Sequence, residues 1–522
     1  MNKPSLNKNG SSLAELLRGA RHHILQREQK QATADKVHVV GAGGTLTAAY
    51  EQLRIAAEYA EEHVLLQRAI RRFYKRLFLV RDEKQINASG EELAIELTQA
   101  GYIANDSLSV ETIKTINKLA AEYYQGYDNL HKRRSGSHRQ IEERTLDVLA
   151  VLIEWQLNDP ALTSAYLQFV HQYYMSDGNV SALFKQAPTD LEAALYVAIH
   201  RALLKSDLAT VRAGLLSRYQ KTPDKLDDFI AINQQLDELF DADMVEKLFR
   251  YIDRRGAPLR VLKHMIEKDD LIEEKLARPT EFLTAFETQV TNDYASITER
   301  INRGIIKSVI FLIITKVLVG LAIEVPYDYL VLGAVAFTPL LINLFFPPVY
   351  MLFLRMTLML PGRANTERLL SQVERVLYGE PQKELIKRAP ANFGAGYNIA
   401  YGLLFVIVFG GIGWWLHVAF AFELLHLFIF FLFLSGASFL GFRLSRAIRE
   451  IEAIDSDQNA VTTARDFLYM PFVVVGRYMS EKYAKVNIVA LVLDMVIELP
   501  LKTVLRLGRQ WTAFISSKKD DL

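Results

Sequence analysis

The chain has 522 residues, with 61 Lys and Arg against 60 Asp and Glu, a formal net charge of +1 and no cysteine. That length exceeds one compact core, the balanced charge argues against a general nucleic-acid binder, and the missing cysteine removes disulfides, thiol nucleophiles and cysteine-ligated metal centres. Polar and apolar residues are segregated: charges recur every few positions before Ile301, whereas long stretches beyond Gly304 carry almost none.

Residues 1–44 read as a flexible basic segment. Lys3, Lys8, Arg18 and Arg21 stand among few acids, and the first 36 residues lack the continuous apolar stretch of a secretory signal. A disordered or surface-associated tail is expected, with an organelle transit peptide as the lesser alternative. At 37–46, VHVVGAGGTL resembles a strand entering a glycine turn, but Leu46 occupies the place of the third glycine in a dinucleotide fingerprint. The Gly-Lys-Ser/Thr ending of a phosphate loop is also missing, so a linker before a helix is the favoured reading.

Residues 45–303 read as a water-soluble helical region. Between Thr45 and Leu79 apolar residues recur at helical spacing, among them Leu53, Ala56, Ala57, Ala60 and Val64. The end of that helix carries Arg71, Arg72, Lys75 and Arg76 around Phe73 and Tyr74. Such a strip suits contact with lipid phosphates or RNA, although a solvated helix face is the simpler account. A flexible, exposed loop at 131–139 (HKRRSGSHR) is expected to split the region. From Thr145 onward, apolar-periodic stretches alternate with turn signals such as those around Pro160, Pro188, Pro223 and Gly256. Paired helices in an irregular bundle follow, or a solenoid-like stack, although no fixed repeat period supports the latter.

Four apolar stretches then suit a membrane. Residues 304–324 make roughly 31 Å of helix, the thickness of the hydrocarbon layer. Residues 329–354 carry no charge and include Pro339, Asn343, Pro347 and Pro348. Residues 397–416 are rich in glycine and end in Trp414 and Trp415, and 422–442 follow after a few residues. Two transmembrane hairpins, 304–354 and 397–442, are therefore expected, joined by a basic loop at 355–396 and followed by a tail at 443–522. Arg300, Arg303 and Lys307 precede the first stretch, Arg355, Arg363 and Arg368 follow the second, and Arg443, Arg446 and Arg449 follow the fourth. The connections at 325–328 and 417–421 have neither Lys nor Arg. The positive-inside rule then puts both termini in the cytoplasm. It also leaves the sequons at Asn87, Asn105 and Asn179 out of reach of glycosylation. In the tail, 467–476 (FLYMPFVVVG) is too short to span and is broken by Pro471. The segment 486–507 sets Asp494, Glu498 and Lys502 on one face, as in an amphipathic helix lying in the membrane interface or on the soluble domain. A fifth span there is the minority reading, because two acids would lie at depth.

Lys316 is the residue most out of place, a cation well inside the first span. With Glu423 and His426 as expected partners, it suggests an ion or proton pathway. The plainer reading is a snorkelling side chain or a structural ion pair. Asn343 in the second span is expected as polar glue between helices. Enzyme signatures are missing: there is no His-Glu-x-x-His helix, no Gly-x-Ser-x-Gly elbow and no di-iron spacing. No cofactor and no nucleic-acid partner are expected.

The phrases YEQLRIAAEYAEEHVLLQRAIRRF (50–73), VVVGRYMSEKYAKVN and IELPLKTVLRLGRQW (within 472–519) resemble segments of uncharacterised multi-pass membrane proteins of small-genome bacteria. That group has no established activity, so the resemblance implies a bacterial cytoplasmic (inner) membrane and nothing about mechanism. The expected architecture is all-α: a cytoplasmic helical bundle, a four-helix transmembrane region and an amphipathic C-terminal helix. The expected role is a non-catalytic, membrane-anchored scaffold whose partners are the lipid bilayer and other proteins. A small transporter or channel subunit built on Lys316 is the alternative, and an enzyme of envelope lipids stands third.

Overall fold

The structure, a computed structural model, describes residues 5–38, 62–133, 136–184, 190–358, 361–379, 395–453 and 460–485. Within them the chain is helical, apart from an isolated bridge between Lys36 and Ser109. Four helices are long and apolar enough to cross a membrane, and they follow a large helical domain. The glycine turn expected at 37–46 and the amphipathic helix expected at 486–507 fall largely or wholly outside the described residues.

The N-terminal segment corrects the expectation of a flexible tail. Helix α1 (Lys8–Thr33) buries Gly10, Leu13, Ala14, Leu17 and Ala20, a stripe at helical spacing that the excess of charge around it had masked. Asn7 caps it by accepting from the Gly10 N–H at 2.8 Å. The next helix, α2 (Glu62–Val80), contributes Ile70, Phe73, Tyr74 and Phe78 to the same core, where the rings meet edge to face.

Helices α3 (Glu83–Asn87) and α4 (Ser89–Gln99) lead to the pair α5 (Val110–Lys132) and α6 (Gly136–Leu157). The expected loop at 131–139 shrinks to a turn around Arg133, with 134–135 outside the described residues. Leu130 and Ile141 are buried on either side, so the apolar register carries both helices almost into the turn. The pair packs on α11 (Leu226–Phe240), and a Cβ on Gly126 would stand 2.2 Å from Pro223, just before that helix. Between them lie α7 (Ala161–Ser176), α8 (Gly178–Ala182), α9 (Leu191–Ile199), which runs on as one wide turn at His200–Leu204, and α10 (Leu208–Arg218). Three further helices, α12 (Asp243–Arg255), α13 (Ala257–Lys268) and α14 (Ile272–Leu276), complete the domain.

Helix α15 starts at Pro279, runs to Val319 and continues through wide turns at Gly320–Glu324 and Asp328–Leu332, giving an unbroken rod of 54 residues, Pro279–Leu332. At ~1.5 Å per residue it is about 80 Å long. Its first turns put Phe282, Phe286 and Val290 into the domain core, whereas Ile301, Ile305 and Leu312 pack among the spans. Its lipid-facing side leaves Ile310, Phe311, Ile314, Leu318 and Leu321 exposed, a contiguous apolar surface that water does not tolerate. The expected connection at 325–328 is therefore helical. The turn comes at 333–336, where Gly333 takes φ +75°, and the second span, α16 (Phe337–Thr357), starts later than expected.

The basic loop expected at 355–396 holds a helix, α17 (Arg363–Leu377), whose Leu369, Val373 and Leu377 belong to the domain core. Asn7 binds its end, donating from Nδ2 to the carbonyls of Val376 (3.0 Å) and Gly379 (2.7 Å). The third and fourth spans, α18 (Ala395–Phe420) and α19 (Leu424–Arg449), form a tight hairpin. Beyond it, Asn365 donates to the Ile451 carbonyl at 2.9 Å and accepts from the Ala453 N–H at 2.8 Å, and Arg260 donates to the Glu450 carbonyl at 2.8 Å. The domain, the inter-hairpin helix and the exit of the fourth span thus meet at one end of the membrane region, as an even number of crossings requires.

The tail corrects one more expectation. Residues 467–476 lie within a continuous helix, α20 (Ala460–Lys485), that packs along the fourth span. Pro471 is accommodated inside it, and Phe472 lies between Phe409 and Phe431 at ring-centroid distances of 4.8 and 6.3 Å. Gly476 meets the Ser435 backbone so closely that a Cβ there would stand 2.1 Å from the carbonyl oxygen.

Candidate functional site

Polar residues buried among apolar helices stand out because each needs a partner that lipid cannot supply. Such a cluster lies at the end of the membrane region farthest from the domain. Helix α15 contributes Lys316, Glu324 and Asp328, α16 contributes Asn343, and α19 contributes His426. Lys316 is 2% exposed and the other four are fully buried. The three α15 residues, with the buried Gly320, recur every fourth position, so one stripe of that helix faces the bundle interior.

Lys316 Nζ donates to Glu324 Oε1 at 2.5 Å and lies 4.7 Å from the centroid of the Phe433 ring, a cation–π contact. Asn343 Nδ2 lies 3.3 Å from Glu324 Oε2 and 3.2 Å from the His426 carbonyl, joining three spans. His426 Nε2 is 2.9 Å from Asp328 Oδ1, at ion-pair distance but off the direction of a good hydrogen bond. Asp328 Oδ2 accepts from the Ala336 N–H of the 333–336 turn at 2.9 Å. Gly320 and Glu324 lie within the wide turn at Gly320–Glu324 and Asp328 opens the one at Asp328–Leu332, with both carboxylates buried.

Of the residues singled out in the sequence, Lys316, Asn343 and His426 come together here. Glu423 does not: it ends the turn before α19, exposed to the surroundings. The carboxylates that take part, Glu324 and Asp328, escaped notice because the first span was taken to end at Glu324. The signal was present as the four-residue spacing from Lys316 through Gly320 and Glu324 to Asp328.

The basic strip on α2 is built differently from an open lipid or RNA surface. Arg71 pairs with Asp147, Arg76 Nη2 pairs with both Glu96 oxygens at 2.8 Å, and Arg72 is half-buried, which leaves Lys75 as the exposed member of the four. Burial pushes the Asp147 carboxyl up, with Arg71 opposing it. Among the described residues no group of three or more His, Asp or Glu side chains is placed to hold a metal ion.

No family model, curated protein or solved structure matches this chain. What the cluster does chemically must therefore be argued from its own geometry. Lys316 and Glu324 neutralise one another. Asp328 and His426 form a second fully buried pair, with His426 Nε2 2.9 Å from Asp328 Oδ1.

Proposed function

We propose that the protein is a membrane-anchored helical scaffold, a non-catalytic platform that couples a partner-binding domain to the bilayer of a bacterial cytoplasmic membrane. The observation that carries this reading is the 54-residue helix Pro279–Leu332, rooted in the domain core at Phe282 and Phe286 and running through the membrane region to its far end. A second clamp supports it, because α17 and the residues after the fourth span are bonded into the domain through Asn365 and Arg260. A domain held at three points moves with its spans, which suits transmitting position or force to a bound protein. The basic residues Arg300, Arg303, Arg443 and Arg446 at the domain end favour a cytoplasmic domain by the positive-inside rule.

A small transporter is the second reading, favoured by four ionisable side chains buried between spans. Reconstitution into liposomes separates the two. The scaffold predicts no flux of protons, sodium or potassium above that of bare lipid. Flux that is present in wild type and lost in Lys316→Ala overturns it. On the positive side, capture of the full chain from membranes in mild detergent should recover a stoichiometric protein partner that substitutions on the domain surface release.

A further inference from the structure

One exposed face of α15 changes character along its length. Arg300, Arg303 and Lys307 are spaced three and four residues apart and are all exposed, so they share that face. Phe311, Ile314, Leu318 and Leu321 continue it at the same spacing and are also exposed. Among the described residues, exposed large apolar side chains on α15 begin at Ile306, which sets the cations where the hydrocarbon surface starts. No acid lies between Arg300 and Glu324 on α15, or between Glu423 and Glu450 on α19. Arg303 stands 3.4 Å from Glu299, but both are exposed and such a pair is weak. The side chains of Arg300 and Lys307 have no partner among the described residues.

The same face meets the fourth span. Gly304 lies within it, and a Cβ there would stand 2.6 Å from Leu444 Cδ2, so the missing side chain lets α19 come close. That approach brings the exposed Arg443, next to Leu444, to the level of the α15 cations. We propose that the seam between α15 and α19 holds one anionic phospholipid. Arg300, Arg303, Lys307 and Arg443 receive its headgroup phosphate, and its acyl chains lie along Phe311, Ile314 and Leu318. Guanidinium and ammonium groups donate charge-assisted hydrogen bonds to phosphate oxygens, and a cluster of them selects against a headgroup whose net charge is zero. The apolar stripe decides for a lipid over a soluble phosphate or an acidic peptide. From Phe311 to Leu321 it is about 15 Å long, one leaflet's share of a hydrocarbon layer about 30 Å thick. Helix α17 carries exposed cations too, Arg363 and Arg368, but Arg363 pairs with Glu367 and the helix buries Leu369, Val373 and Leu377 in the domain core. It offers a headgroup charge without a place for the chains. The site rests on the spans, and holds for a scaffold or a transporter.

Native mass spectrometry of the full chain in detergent, titrated with phosphatidylglycerol or phosphatidylcholine, tests this. The expected result is one phosphatidylglycerol retained in preference to phosphatidylcholine. Arg300→Gln combined with Lys307→Gln should weaken that retention roughly tenfold or more, whereas Lys307→Arg, which keeps the charge, should preserve it. Arg363→Gln combined with Arg368→Gln removes the same charge from α17 and should leave retention unchanged. All four of these side chains are exposed, so the variants should unfold at the wild-type temperature. Excess inorganic phosphate should fail to displace the lipid. Equal retention of the two lipids by the wild type, which needs no variant, overturns the proposal. So does an equal loss in the α17 pair, or displacement by inorganic phosphate alone. Retention is read in detergent without flux, so its outcome is separate from that of the liposome assay.

Discussion

Lys316 and Glu324 lie two turns apart on one helix, and the ammonium of the first reaches the carboxylate of the second at 2.5 Å with both side chains buried. Glu324 closes the wide turn at Gly320–Glu324 and is buried on the same interior face as Lys316. The ion pair thus fixes the local form of the helix as well as neutralising two charges.

Breaking that pair on one side should be worse than removing it altogether. Lys316→Met leaves Glu324 buried without its counter-charge and should cost ~3–5 kcal/mol of stability. Lys316→Met combined with Glu324→Gln should recover most of that loss, since the amide still meets Asn343 and no charge remains. Thermal unfolding of the purified protein in detergent reads the difference. Equal losses in the single and double variants would show that the two side chains are not energetically paired.

The contact between Gly476 and Ser435 makes a sharper claim about the tail. A methyl group on Gly476 would stand 2.1 Å from the Ser435 carbonyl oxygen and 2.7 Å from Phe439 Cβ, so backbone must move. Gly476→Ala should cost ~1–3 kcal/mol, the usual range for overpacking. Gly402→Ala is the control, as nothing lies within 4 Å of the added atom. If both variants unfold with the wild type, α20 does not pack on the fourth span.

How much of this was legible in the sequence depends on scale. The four spans are legible because crossing a bilayer demands a long, predominantly apolar stretch, and local composition records it even where Lys316 interrupts the first. The helical domain is legible through its periodicity. The ends of elements are not: the first span runs on past Glu324 because Asp328 finds His426 and the Ala336 N–H, partners brought together only by tertiary packing. Likewise, α1 looked like a basic tail because its apolar stripe, Leu13 to Ala20, is narrow and its reward lies in distant surfaces such as α7 and α17. Pro471 argued for a break, yet packing against the fourth span holds its helix together.

Within the domain, His200 sets a pH dependence. Burial lowers its pKa from 6.5 to about 4, and its Nδ1 lies 2.9 Å from Ser206 Oγ. The folded state thus favours the neutral ring, whereas the unfolded chain takes up a proton below pH 6.5. The stabilisation is fully present above that value and is lost as the pH falls toward 4, by about 3 kcal/mol at most. His200→Gln should flatten the stability profile across that interval, as measured by denaturant unfolding. An unchanged slope would mean that other groups carry the acid sensitivity.

The absence of cysteine from the chain makes its orientation directly measurable, because any single engineered thiol is the only one present. Ala334 lies exposed in the turn between the first two spans, and Glu367 lies exposed on α17, at the end of the membrane region that carries the domain. The bonds from Asn365 to Ile451 and Ala453 tie that helix to the exit of the fourth span, so the two test positions lie on opposite faces. A cytoplasmic domain predicts that Ala334→Cys reacts with a membrane-impermeant maleimide in intact spheroplasts, whereas Glu367→Cys reacts only after lysis. The reverse pattern would invert the protein and set the basic residues Arg443 and Arg446 against the positive-inside rule. Labelling of both positions from outside is incompatible with one crossing by α16, and with it the hairpin that assembles Lys316, Asn343 and His426 would be lost.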